Sequence, residues 1–113
     1  MLVKVNSVAI IGLNVVDVVV EVNVAERGFP SFDIVGLATK SVAESRERVK
    51  TSIINSGISF PEKRITVNLA PADLQKEGTL YDFPIAVGII AASRGLKIPK
   101  NSILLIEDVK YNF

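Results

Sequence analysis

The sequence predicts an α+β domain in which an antiparallel-rich sheet carries helices packed on one face. Three observations lead there. The first quarter of the chain alternates apolar and polar residues with a period of two, the pattern of half-buried strands. Two later stretches, Thr39 to Ser56 and Asp82 to Arg94, have helical spacing and composition. The resulting order, β-β-β-α-β-α, describes a sheet made mostly of antiparallel neighbours with its helices collected on one side.

Leu2 to Leu13 and Val15 to Ala25 read as a hairpin, with Gly12-Leu13-Asn14 as its turn. In the second arm Val16, Val18, Val20, Val22 and Val24 fall on one face, and Asp17, Glu21 and Asn23 on the other. Arg27-Gly28-Phe29-Pro30 is a connection to a third strand, Ser31 to Val35, with Phe32 and Ile34 on a common side. In the first helix Val42, Val49 and Ile53 recur at near-integral turns. Ser41 and Glu44 have capping-box spacing, with Thr39 an earlier candidate cap, and Glu44 can pair with Arg48 four residues on. Gly57 is placed to end the helix.

Arg64 to Leu69 alternates again, with Ile65, Val67 and Leu69 together, and Ala70 to Tyr81 is a polar loop. Asp82 is the expected N-cap of the second helix, Pro84 fits its first turn, and Gly95 closes it. That helix is apolar nearly all round, so it should be deeply buried.

A chain of 113 residues suits one domain, 1–113. At 49% hydrophobic residues it can fill a real core, and without Trp that core is aliphatic. Thirteen basic against twelve acidic residues give a net charge of +1, too weak a field to draw nucleic acid or an anionic membrane except at a local patch. Without Cys or His, disulfides, the usual zinc and haem sites, and any His- or Cys-dependent dyad or triad are excluded. The longest apolar stretch, Phe83 to Ala92, is too short for a bilayer, and the N-terminus lacks the pattern of a secretory leader, so a cytoplasmic location is expected.

None of the seven glycines is followed by Lys, so the chain has no phosphate-binding P-loop, whose lysine and backbone N–H groups hold the β- and γ-phosphates. The residues that invite a functional reading lie between Val67 and Ser93. Asp73, Lys76, Glu77 and Asp82 form a candidate interaction loop against a neighbouring subunit or domain; the plainer reading is a polar connection between a buried strand and a buried helix. Arg46 and Arg64 are candidate anion contacts. Arg46 and Lys50 share a helix face, but Arg48 lies about 160° from Lys50, so the three do not form one stripe. A solvated face balanced by Glu44 and Glu47 is the plainer reading there.

The strings SFDIVGL, SVAESRERVKTSIINSG, FPEKRITVNLAPADLQKEG and YDFPIAVGIIAA, in this order, resemble the N-terminal domain of the magnesium-chelatase-like ATPases of bacteria, the YifB/ComM family. The resemblance covers about Leu2 to Leu96. Ala38-Thr39 stands where the family usually has Pro-Asp, and the tail after Lys100 matches less well. The resemblance implies the ribosomal protein S-five, domain-two-like fold, followed by an AAA+ motor module that binds ATP and magnesium. It implies a parent that works as a hexameric DNA motor in natural transformation, aiding branch migration. On that reading the chain is a fragment that ends before the motor and before the domain's remaining strand. It holds no cofactor of its own, and its partners are the rest of the parent, neighbouring subunits and DNA, with no membrane.

The same fold carries the Ser-Lys protease domain of Lon. Aligning the helix starts places Ile85 where the nucleophilic serine would stand, and a hydrocarbon cannot be acylated. The sequence therefore points to a non-catalytic accessory domain for assembly or for positioning DNA or a partner. The alternative is a stand-alone nucleic-acid-binding module of the same fold. A tetrapyrrole chelatase role would draw only on the family's name.

Overall fold

The computed structural model of the chain describes residues 1–71, 81–100 and 102. Four strands and two helices follow the expected order: β1 (Leu2–Ile11), β2 (Asn14–Ala25), β3 (Ser31–Val35), α1 (Thr39–Asn55), β4 (Arg64–Ala70) and α2 (Asp82–Arg94). The sheet order is β1-β2-β4-β3. β1 pairs with β2 and β2 with β4 antiparallel, while β3 runs parallel to β4. That parallel pair needs a crossover, and α1 supplies it. β4 is thereby inserted between two elements that are neighbours in sequence.

Register puts one residue set of every strand on the same face. Val5 lies opposite Val20 and Val20 opposite Leu69; Val22 lies opposite Val67 and Val67 opposite Ile34. All of these are buried, and with Val49 and Ile53 of α1 and Ile85 and Ile89 of α2 they form one aliphatic core. The valines at 18, 20, 22 and 24 are buried as the alternation requires, while Val16 is only half-buried towards the hairpin end.

α2 approaches β2 closely. A methyl group placed on Gly88 would lie 2.5 Å from Val22 Cγ2, so glycine is what lets the helix axis come this near the sheet. The helix ends at Gly95 with φ of 67°, and the Gly95 and Leu96 N–H groups both return to Ala91 O.

Local details differ from the sequence reading at three places. Leu13 sits fully exposed in the hairpin turn, so β1 ends at Ile11 and β2 starts at Asn14. α1 has Ala38 as its N-cap, with no side-chain cap; Ser41 lies inside the first turn, its N–H bonded to Ala38 O at 2.8 Å, so it forms no capping box with Glu44. α2 has Tyr81 as its N-cap, and Asp82 is its first helical residue. The Asp82 carboxylate is drawn away from the helix end by donors on α1.

Candidate functional site

α1 and α2 meet through apolar residues of the core and, at the first turn of α2, through a polar contact. Arg48 projects from the middle of α1 and Asp82 from the start of α2. Arg48 Nε donates to Asp82 Oδ2 at 2.6 Å and Nη2 to Oδ1 at 3.4 Å. The Ser45 hydroxyl donates to the same Oδ1 at 3.0 Å. The Asp82 side chain is 18% exposed against 37% for Arg48, so the pair sits at the boundary between core and solvent. Its hydrogen bond to Asp82 raises the Arg48 pKa above the ordinary arginine value, burial opposes that, and the charges of Asp82 and Glu44 add to it. Glu44, the expected helical partner, lies at 3.8 Å from Nη1 and is well exposed, so it is the weaker partner. Asp82 in the first turn also complements the helix dipole.

Chemically, this cluster is a clasp. It has a carboxylate, a guanidinium and a hydroxyl, and among the described residues no group is placed to take the Ser45 proton other than a carboxylate already held by arginine. Such an arrangement ties the two helices together. Asp73, Lys76 and Glu77, the other three candidate loop residues, lie outside the described residues. Of the four candidate loop residues, Asp82 is therefore engaged within the domain.

The two candidate anion contacts part company. Arg46 Nη1 donates to Phe32 O at 3.2 Å, so this side chain covers an outward carbonyl of the edge strand β3. Arg64, the first residue of β4, is exposed and has no ion pair among the described residues. Lys50, on the same face of α1 as Arg46, sits 5.6 Å from the centroid of the Phe60 ring, which in turn packs on Phe32.

The sequence reading passed over Ser45 and set Arg48 aside. Ser45 falls on the same helix stripe as Val42 and Val49 and is fully buried. A polar residue on an apolar stripe asks for a buried partner, and that was the available signal. Ile85 is 0% exposed and belongs to the core. Among the described residues no group of three or more His, Cys, Asp or Glu could hold a metal, and no helix is long and apolar enough to cross a membrane. A groove of about 500 Å³ between β1 and the segment after α2 is lined by Met1, Leu2, Leu96, Lys4, Lys97 and Lys100 among others.

The family model for subunit ChlI of magnesium chelatase matches residues 20–109, most of the chain. The chain belongs to the ChlI family. Within it, the chain is 48% identical over 96 residues to YifB of Escherichia coli, covering 85% of this chain and 19% of that protein. It is 49% identical over 87 residues to the competence protein ComM of Haemophilus influenzae, covering 77% of this chain and 17% of ComM. An uncharacterized protein of Mycobacterium tuberculosis is 38% identical over 88 residues. The chain thus spans less than a fifth of the length of these YifB and ComM relatives. The resemblance stated from the sequence holds at the level of the magnesium-chelatase-like YifB/ComM family, and the mixed sheet with two helices is compatible with the S-five-like fold it implied. The ChlI-family match includes both halves of the Arg48–Asp82 clasp and the whole of the β3–α1–β4 crossover.

Proposed function

We propose that this ChlI-family chain is a non-catalytic accessory domain of a ComM-type AAA+ ATPase engaged in cytoplasmic DNA processing, such as branch migration during transformation. Its role is to assemble subunits or to position DNA or a partner on the motor. ATP and magnesium bind elsewhere in the parent. The observation that carries this reading is the high identity to YifB and ComM over a stretch that is only 17–19% of their length. A domain that is a minor part of a larger relative, and in which no glycine precedes a lysine, fits a supporting role. The burial of Ile85 is consistent with this, since the position that would carry a Lon-like nucleophile is an aliphatic core site.

The test is ATP hydrolysis by the 113-residue chain with and without magnesium. No turnover above buffer is expected; magnesium-dependent turnover abolished by a chelator would overturn the non-catalytic assignment. The second reading, a nucleic-acid-binding module acting alone, is favoured by one observation: Arg27 and Arg64 are exposed and without an ion pair among the described residues.

A further inference from the structure

At the end of the sheet where β2 stops and β3 and β4 begin, an aromatic ring stands in water. Phe29, in the connection from β2 to β3, is 92% exposed and contributes nothing to the core. It is held out by its neighbours. Gly28 has φ of 113°, a conformation side chains rarely adopt, and Pro30 confines the backbone of the residue before it, Phe29, to extended conformations. The connection crosses β4 at Arg64, which lies in register between Ala25 of β2 and Ser31 of β3. A methyl group on Gly28 would lie 3.5 Å from Arg64 Cδ, so the loop rests on the methylene stem of Arg64 and leaves its guanidinium at the surface.

Two of the cations at this corner have no ion pair among the described residues. Glu26 is taken by Lys63, with Nζ 2.9 Å from Oε2, and that contact lowers the Glu26 pKa. Glu62 and Asp33 are exposed and, like the arginines, have no ion pair among the described residues. Arg27 and Arg64 remain exposed, with no ion pair among the described residues, on either side of the Gly28–Phe29 crossing.

We propose that the corner formed by Arg27, Phe29 and Arg64 binds single-stranded nucleic acid, with Phe29 stacking on an unpaired base and the two arginines contacting flanking phosphates. The proposal rests on the reading that this domain positions a strand or a partner for the motor. An acidic protein segment would satisfy the arginines but leave the ring unused. A duplex would offer phosphates but keep its base faces stacked. A single strand supplies both, because every nucleotide pairs an anionic phosphate with a π-face.

The test is fluorescence anisotropy of the full chain with fluorescein-labelled oligo(dT) and oligo(U) across a series of KCl concentrations. Phe29→Ala should weaken binding roughly tenfold with the salt slope unchanged. Phe29→Trp should restore it. Arg27→Ala/Arg64→Ala should flatten the slope of log K against log salt by about 1.4, the share of two single-strand phosphates. Thermal melts of the Phe29 variants should match the parent chain, since that ring is outside the core, and Arg64→Gln, which keeps the methylene stem under the loop, should reproduce the salt effect of Arg64→Ala with the parent's melt. Binding to either oligonucleotide with these signatures supports the site, and the better-bound one identifies the sugar. Absence of binding, indifference to Phe29→Ala, preference for duplex, or equal competition by polyglutamate overturns it. Failure here leaves the accessory role standing, because that role is read from ATP hydrolysis and from the parent's activity without this domain.

Discussion

Arg48→Ala tests how far the α1–α2 clasp stabilises the fold. The substitution removes the 2.6 Å and 3.4 Å donors from Asp82 and leaves Ser45 as its remaining side-chain donor. A fully exposed ion pair contributes about 0–1 kcal/mol. Breaking a fully buried one costs about 3–5 kcal/mol. With Asp82 18% and Arg48 37% exposed, this pair falls between, and water at the guanidinium screens part of it. A hydrogen bond to a charged group contributes about 1.5–3 kcal/mol, so after screening a loss of about 1.5–2 kcal/mol is expected. For a domain of this size that lowers Tm by on the order of 10 °C. The assay is urea unfolding of the parent chain, Arg48→Ala, Asp82→Ala and the double variant, with the m-value required to stay constant. A coupling energy of about 1 kcal/mol should emerge from the cycle. A loss under about 0.5 kcal/mol, or no coupling, would mean that the pair behaves as a surface contact and that α2 is held by its apolar face alone.

Three further outcomes follow from the packing. Gly88→Ala should destabilise by about 1–2 kcal/mol, because overpacking against Val22 outweighs the better helix propensity, and Val22→Ala in the same chain should recover part of the loss in the same urea assay. Ser7 is buried on the core side of β1 with no partner for its hydroxyl among the described residues, so Ser7→Ala should raise the urea midpoint, by about 1 kcal/mol in stability. Burial raises the Tyr81 pKa above the ordinary value of about 10, so its contribution is fully present below pH 10 and is lost as pH rises through the folded pKa. Thermal melts between pH 9 and about 11 should therefore show falling stability that is shallower in Tyr81→Phe.

Much of the fold was legible because one physical term dominates it. The valine alternation of β2 has a single solution once one face is buried, and the period of α1 likewise. The pairing order was less legible. Nothing local to Ser31–Val35 says that it runs parallel to β4, because parallel and antiparallel edges of a half-buried sheet demand the same residues. The helix starts at Thr39 and Asp82 were legible, but their caps were misread for a related reason. Ser41 and Asp82 are good caps in isolation, but in the fold Ser41 lies within the first turn, after the cap at Ala38, and the Asp82 carboxylate has stronger donors on α1. Arg46 and Arg64 look alike in sequence and differ only in what the chain brings near them, a β3 carbonyl for one and open water for the other.

The central claim is that the chain serves a motor without being one. The measurement that tests it most directly compares the intact parent ATPase with a form lacking this domain, reading branch migration of a labelled DNA junction at matched rates of ATP hydrolysis. The account predicts that hydrolysis persists in the shortened parent while junction processing falls sharply. Unchanged junction processing without the domain would contradict it.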